Sequence, residues 1–214
     1  LETTNDVYAE LIFDVTAGDI IRGRGNGNIK LQIDTNGEFN MFGDFQIEQG
    51  GYNFTLYNII NKEFDIQKGS NISWYGNPYG AKLNIDAKYR QLASLSPMIS
   101  DLDADNLNSP QLRRKYPSIV DLNLKGDLLS PEITFDINVE DYPNDIELND
   151  GTTIDLQTVI TAFKAKLRQN EQEMKRQVFS LVILRKFSPE NNFSVNSQTI
   201  GNSLSEFVSN QLSY

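Results

Sequence analysis

From residue 7 to about residue 140, apolar and polar side chains alternate along most of the sequence. In VYAELIFDV, residues 7 to 15, every odd position is apolar, whereas Glu10 and Asp14 fall between these positions. Successive side chains of a β-strand point to opposite faces, so the pattern predicts a strand with one apolar and one polar face. The apolar faces of such strands must be covered, and what covers them is the question that the sequence raises.

The same alternation recurs in segment after segment and predicts an antiparallel meander of about nine or ten strands. Turn signals separate the segments at TNG 35–37, QGG 49–51, KGS 68–70, GNPYG 76–80 and LLSPE 128–132. FQIEQG at 45–50 and FDIQKG at 64–69 form a weak internal repeat, which suggests hairpins laid side by side. The residues predicted to share the apolar face are Ile29, Leu31, Ile33, Phe39, Met41, Phe45, Ile47, Tyr52, Phe54, Leu56, Phe64, Ile66, Ile72, Trp74, Leu83, Ile85, Val120, Leu122, Leu124, Ile133, Phe135 and Ile137.

Two segments depart from the alternation. Residues 91–117 have no steady period and contain three prolines, so we predict a long surface loop. From about residue 155 the period becomes helical, and Asn170 followed by Glu173 is a plausible capping box for a second helix. The predicted organisation is a sheet domain over 1–150 and a helical segment over 151–214 that packs on or in the sheet. The three predicted helical stripes are Leu156, Val159, Ile160, Phe163 and Leu167; Met174, Val178, Leu181 and Val182; and Ile200, Leu204, Phe207, Val208 and Leu212.

Composition removes several classes of function. The chain has no Cys and no His, which excludes zinc fingers, cysteine nucleophiles, haem ligation by His or Cys and Ser/His/Asp triads. A net charge of −10 disfavours nucleic acid as a partner. The longest apolar run, FSLVIL at 179–184, is far shorter than the roughly 20 residues of a membrane-spanning helix.

Candidate ligand sites are weak. DLDADN at 101–106 begins like a calcium loop, but Asn106 stands where glycine is expected and Leu112 where the closing carboxylate is expected. RGRGNGN at 22–28 leads into a strand rather than a helix, so its glycines indicate a bend or bulge rather than a phosphate cradle. The acidic run at 140–150 and the basic cluster at 113–115 are typical of hydrated surface. We therefore expect no enzyme activity, no metal and no cofactor.

The order of the motifs resembles the C-terminal conserved region of the TamB family, the translocation and assembly module proteins of diderm bacteria. The residues that carry the resemblance are RGRGNGNIKL, FQIEQGGYNF, FDIQKGSNISWYGNP, AKLNIDAKY and, later, QVFSLVILRKFSP. It spans roughly residues 7 to 190, and residues 20 to 90 are its most specific part. The Asn- and Lys-rich composition and the SNQLSY ending are similar to a Bacteroidetes version. Further strands and an amino-terminal inner-membrane anchor are expected to lie outside the printed sequence.

The resemblance implies a long β-sheet curled into an open trough, a β-taco, with an apolar inner surface, which the predicted C-terminal helices follow. It implies a periplasmic location between the inner and outer membranes and a partner of the TamA type, an outer-membrane barrel. It further implies that the apolar face given above contacts phospholipid or outer-membrane protein clients. The same alternation would also build a sealed sandwich or barrel, which is the commoner outcome across proteins. It also leaves open a trough plugged by the helices and a scaffold that only docks to the barrel partner.

Overall fold

The structure of the protein is a computed structural model that describes residues 2–14, 19–56, 60–99, 106 and 110–189. Among these residues it contains ten strands and a group of C-terminal helices, which confirms the predicted mainly antiparallel β class followed by helices. The third predicted helical stripe, from Ile200 to Leu212, lies outside the described residues, as does most of the DLDADN segment. No helix of the described part is long and apolar enough to cross a membrane.

Eight strands form one antiparallel sheet with the order β1-β2-β3-β4-β6-β7-β8, and β5 pairs with β3 and β6. The predicted turns at 35–37, 76–80 and 128–132 connect neighbouring strands. In the first of these, the Asp34 carboxylate accepts hydrogen bonds from the amides of Asn36 and Glu38, both at 2.8 Å. The eight strands are β1 (Glu2–Asp14), β2 (Asp19–Ile33), β3 (Phe39–Leu56), β4 (Ile60–Ile66), β5 (Ser70–Gly76), β6 (Lys82–Ser94), β7 (Lys115–Asp127) and β8 (Glu132–Val139).

The predicted turn at 49–51 is wrong, because β3 runs straight through these residues. The register between β2 and β3 shifts between Arg24 and Gly25, so that Glu48 of β3 bulges out of the ladder. The extra residue reverses the parity of the strand, and both Ile47 and Tyr52 therefore face the core. The prediction that the glycine-rich segment marks a bulge is confirmed.

The predicted turn at 68–70 is a break rather than a reversal of the chain. Strands β4 and β5 both run antiparallel to β3, so they continue in one direction on either side of this break. The buried Ser70 hydroxyl fills it by donating to the carbonyl oxygen of Gln67 at 2.7 Å and of Asp86 at 3.3 Å. It also accepts from the Asp86 amide at 3.0 Å. The Ser70 side chain thus replaces ladder hydrogen bonds that the break removes.

The sheet is curled with its apolar face inward. Phe54 on β3 and Phe135 on β8 are separated by four strand spacings in the sheet order, which would be about 19 Å in a flat sheet. Their ring centroids are nevertheless 5.8 Å apart, in an edge-to-face contact. Contact across this separation requires a concave inner face.

The helices begin after a small second sheet formed by β9 (Asp145–Glu147) and β10 (Thr153–Asp155). Helix α1 is a short turn over Pro110–Arg113, α2 spans Leu156–Gln169 and α3 spans Glu171–Phe179. A π-helical segment, Ser180–Leu184, continues α3 and ends at Arg185 in the left-handed conformation. The predicted N-cap is confirmed, because the Asn170 side chain accepts a hydrogen bond from the Glu173 amide at 3.1 Å. The reciprocal half of the capping box is not formed, because the Glu173 carboxylate accepts from Arg176 and Gln177 and the Asn170 amide donates to the Leu167 carbonyl.

The loop predicted over 91–117 is wrong at both ends. Strand β6 continues to Ser94 and β7 begins at Lys115, and the two remain paired there, with Leu92 opposite Pro117. Ala93 is fully buried while Leu92 is half-exposed, so the hydrophobic residue that is conspicuous in the sequence points outward. Because the larger apolar side chain faces solvent and the smaller one faces the core, the apolar–polar alternation does not indicate a strand here.

Candidate functional site

The candidate site is the concave apolar face of the sheet, and it has two sections. In the first, called the sealed section, strands and helices enclose the apolar side chains. In the second, called the open section, the end of the β2–β3 hairpin presents apolar side chains to solvent. Of the predicted apolar-face residues, the sealed section contains Phe45, Ile47, Tyr52, Phe54, Phe64, Ile66, Ile72, Trp74, Leu83, Ile85, Val120, Leu122, Leu124 and Ile137, all of which are buried.

Aromatic rings close the centre of the sealed section. The Phe54 ring lies 5.8 Å from Phe64 and 5.8 Å from Phe135, edge to face in both cases. Phe64 in turn lies 5.5 Å from Tyr89, and Tyr52 lies 6.1 Å from Phe54. These contacts join both sides of the curled sheet, so the groove is filled at this level by the protein itself.

Residues 156–187, called the helical cap, cover the sealed section. Leu181 is fully buried and Val182 nearly so, and the Val182 carbonyl accepts a hydrogen bond from the Tyr89 hydroxyl at 3.5 Å. Phe163 of α2 packs edge to face on Phe187, with centroids 5.7 Å apart. Sheet and cap residues belong to a single hydrophobic cluster. Of the two helical stripes predicted within this region, every residue but the partly buried Val159 is buried there.

Charged side chains fasten the cap to edge strand β8. Arg168 of α2 contacts the Asp136 carboxylate at 2.9 Å, and Lys164 lies 3.7 Å from the same oxygen. Lys164 also donates to the Asn138 side chain, whose amide donates to Asp121 on β7. The hydrogen bond from Arg168 raises its own pKa, with the Asp136 charge as a second cause. Asp136 and Asn138 lie on the polar face of β8, so the two basic side chains of α2 reach around the edge of the sheet.

A second set of hydrogen bonds fixes the chain after α3. The buried Gln177 side chain donates to the Ser188 carbonyl at 2.8 Å and accepts from the Ser188 amide at 2.9 Å. Arg176 donates to the Pro189 carbonyl at 3.1 Å and to Glu173. Burial acts to raise the pKa of Glu173, but the hydrogen bonds from Arg176 and Gln177 outweigh it and the net pKa is lowered.

The open section is the end of the β2–β3 hairpin. Leu31 is 51% exposed, Ile33 is 74% exposed and Phe39 is 44% exposed. Leu31 pairs with Met41 and Ile33 pairs with Phe39. Phe39 and Met41 are an even number of residues from the buried Phe45 on β3, so these side chains lie on the same face and continue the concave surface. Ile29 and Met41 are partly buried at the junction with the sealed section.

This hairpin projects beyond its neighbours. Among the described residues, β1 pairs with β2 no further than Asn28, and β5 pairs with β3 no further than Met41. The apolar side chains of the hairpin end therefore lack the flanking strands that protect the rest of the sheet. A two-stranded ribbon with an uncovered apolar face is marginally stable in water, which makes this end the natural place for a ligand or partner.

The three remaining predicted residues belong to neither section. Ile133 is exposed and Phe135 half-buried on edge strand β8, and the Leu56 side chain lies outside the described residues. Alternation missed Ile21 and Tyr116, which are buried in the same cluster. The only signal for Ile21 is its register opposite Tyr52, and the bulge in β3 conceals that register in the sequence.

The electrostatics distinguish the two faces. The polar face contains the ion pairs of the sheet, such as Lys68 with Glu48 at 2.6 Å and Arg90 with Glu140 at 2.7 Å. The inward-facing positions of the open section are uncharged. Within the described part of the chain, no group of three or more potential ligands is placed to hold a metal ion. The geometry therefore supports contact with apolar groups.

Comparison with known proteins gives one match. The family model described as the TamB C-terminal domain matches residues 2–214. No curated protein matches the chain, and no solved structure matches it either.

Proposed function

The chain belongs to the TamB C-terminal domain family, and on this basis we propose that its concave face binds the acyl chains of phospholipids. It does so as part of a periplasmic module that bridges the inner and outer membranes, acts with an outer-membrane barrel of the TamA type and supports outer-membrane protein assembly. The module is non-catalytic. The observation that carries the proposal is the exposed apolar row Leu31, Ile33 and Phe39, which continues a concave apolar face.

The energetics favour a lipid over a polar ligand. Burial contributes about 0.8 kcal/mol for each CH₂ group, and the open section offers no charge or hydrogen-bonding side chain on its concave face. Its β2 side, from Ile29 to Ile33, is about 13 Å long, so it accommodates part of one acyl chain. The sealed section is filled by aromatic rings and the helical cap, so lipid reaches Phe54 or Trp74 only after the cap moves.

The test is photo-crosslinking with neighbouring positions as a matched pair. A photoreactive residue replaces Leu31 in one variant and Gln32 in another, and each full-length protein is mixed with vesicles of phosphatidylethanolamine and phosphatidylglycerol. Both side chains are exposed but face opposite sides of β2. We expect lipid adducts at Leu31 and few at Gln32. Equal labelling of the two positions, or none at Leu31, contradicts the proposal.

A second function is favoured by the packed interior. The contact between Phe54 and Phe135 and the cap over Tyr89 are typical of a sealed core, which fits a scaffold that only docks to the barrel partner. The substitution Leu31→Asp separates the two functions. A lipid-binding module loses lipid adducts at Ile33 while partner binding persists, whereas a scaffold shows no lipid adducts before or after the change.

A further inference from the structure

The sheet is split between β4 and β6. The ladder that joins these strands ends at the pair Asp65 with Lys88, and within the described residues no pair joins them beyond it, although both strands continue. The interval between residues 62–64 of β4 and residues 89–94 of β6 is called the slit. Each edge of the slit is held in strand conformation by its other neighbour, because β4 pairs with β3 and β6 pairs with β7 as far as Ser94.

The β6 edge directs backbone groups into the slit. The Ala81 carbonyl, at the start of β6, accepts a hydrogen bond from the β7 side, whereas the Asp86 carbonyl accepts from the Gln67 amide on the β4 side. Backbone groups of a strand point to alternate sides, so the even-numbered residues of β6 face β4. Arg90 and Leu92 therefore present their amides and carbonyls to the slit, and neither belongs to the described ladder pairs with β4.

Charged side chains that could close the slit are engaged elsewhere. If the ladder continued, Glu63 and Arg90 would face each other on the polar face as an oppositely charged cross-strand pair. The Glu63 carboxylate instead lies over Gly51, where an added Cβ atom would stand 2.1 Å from its oxygen. Arg90 contacts Glu140 at 2.7 Å. The two edges are thus separate strands rather than one interrupted ladder.

Leu92 marks the open edge of β6. Its carbonyl accepts a hydrogen bond from the Gln91 side chain at 3.0 Å, which takes the place of a bond to a neighbouring strand. Its own side chain is 52% exposed on the polar face. On the concave side, Phe64 and Tyr89 close the base of the slit with ring centroids 5.5 Å apart. A chain in the slit would therefore meet backbone groups at its sides and apolar side chains on both faces.

We propose that the slit binds an extended polypeptide segment, which pairs with β4 along one edge and with β6 along the other. Unpaired backbone groups of a strand edge are satisfied by another strand, whereas an acyl chain has no hydrogen-bonding groups to offer. Lys62 also disfavours an acyl chain, because it lies two residues from the buried Phe64 and so faces the concave side of the slit. The proposal rests on the assembly role proposed above and not on lipid binding.

The first test measures binding of a short, fluorescein-labelled peptide of alternating threonine and valine to the full-length protein by fluorescence anisotropy. An inserted strand donates amides to both edges of the slit. N-methylation of the odd-numbered peptide amides and of the even-numbered ones should therefore each weaken binding by roughly tenfold or more. A peptide that adds to a single sheet edge tolerates one of the two modifications. That result, or no binding of the unmethylated peptide, overturns the proposal.

The second test removes an amide from the β6 edge. Leu92→Pro deletes an amide that faces the slit, and proline is tolerated in a strand where no ladder bond is lost. We expect peptide binding to weaken by roughly tenfold or more in Leu92→Pro and to persist in the matched control Leu92→Thr, which keeps the amide. Fluorescence of Trp74, the single tryptophan, reports that the sheet remains folded in both variants. Equal binding by the two variants overturns the proposal.

A reversible closure of the slit keeps the test independent of proline. Glu63→Cys with Arg90→Cys places the only two thiols of the chain at exposed positions on opposite edges, where a short bifunctional methanethiosulfonate reagent joins them. Peptide binding should be lost in the joined protein and return on reduction, and binding that survives the joining overturns the proposal.

Lipid adducts at Leu31, measured in the same samples, separate this proposal from the lipid-binding function. Peptide binding without lipid adducts supports the slit as a peptide site and contradicts lipid binding alone. Lipid adducts without peptide binding overturn the peptide site and leave lipid binding in place.

Discussion

Ser70 is the residue on which continuity between β4 and β5 depends. Its buried hydroxyl makes three hydrogen bonds with the backbone of Gln67 and Asp86 at the break in the ladder. The Gln67 and Asp86 carbonyls also accept backbone hydrogen bonds, so Ser70→Ala removes the acceptor of the Asp86 amide. We therefore expect it to lower the free energy of unfolding by about 1–3 kcal/mol in urea titrations. Ser130→Ala is the control, since that exposed turn residue is held through its backbone amide. Similar losses in both variants contradict this role.

Gly25 allows β2 and β3 to approach at the bulge. A Cβ atom at this position would stand 1.9 Å from the carbonyl oxygen of Gln46, which is backbone and cannot rotate away. Gly25→Ala should therefore destabilise the protein by roughly 1–3 kcal/mol, the usual cost of overpacking. At Gly80 the nearest atom would be 3.9 Å away, so Gly80→Ala should be nearly neutral. Thermal unfolding of the two variants measures the difference, and equal melting temperatures would refute the steric explanation.

At the scale of single elements, α3 depends on Glu173. The lowered pKa of Glu173 means that its carboxylate stabilises the fold above the ordinary glutamate pKa of about 4.3, and that this contribution is lost as the pH falls through the folded value. We expect unfolding free energy to fall less steeply between about pH 5 and pH 3 in Glu173→Gln than in the unchanged protein. Glu171→Gln is the control, because the exposed pair of Glu171 with Lys175 is screened by solvent. If the unfolding free energy depends on pH in the same way in Glu173→Gln and in the unchanged protein, the Glu173 carboxylate does not have this role.

Elements were predictable from the sequence where each strand has one buried face, as in β6 from Leu83 to Tyr89 and in both helical stripes. They were missed where local chemistry and tertiary pairing disagree. The glycines of QGG indicate a turn, but pairing with both β2 and β4 keeps Gly50 and Gly51 in a strand. Pro117 indicates a loop, yet it lies near the start of β7, opposite Leu92.

At the scale of the whole molecule, alternation identifies the apolar face but not what covers it. The sequence gives Phe39 and Phe54 the same pattern, although one is exposed at the hairpin end and the other lies against Phe64 and Phe135. The difference arises from the curl of the sheet and from the packing of Val182 near Tyr89, which are contacts between residues far apart in sequence. Local periodicity contains no information about such contacts.

The division into two sections leads to a prediction about how lipid enters the groove. Phe54→Cys and Phe135→Cys place thiols on both sides of the curled sheet, and a short bismaleimide added during refolding, before the helical cap closes the sealed section, can join them. Because the open section lies at the far end of the hairpin, we expect the joined protein to keep its lipid adducts at Leu31 at the level of the unjoined protein. Asn53→Cys with Glu63→Cys, a cross-strand pair on the polar face, controls for the reagent.

If the joined Phe54–Phe135 protein loses its Leu31 adducts while the Asn53–Glu63 protein keeps them, lipid must enter through an opening of the whole groove. That result would make separation of β3 from β8, with displacement of the helical cap, part of the binding step. Unchanged adducts locate binding at the hairpin end, where Leu31, Ile33 and Phe39 lie on the concave face and are each about half exposed or more. The sealed section then serves as the rigid core that holds this end of the sheet in its curled shape.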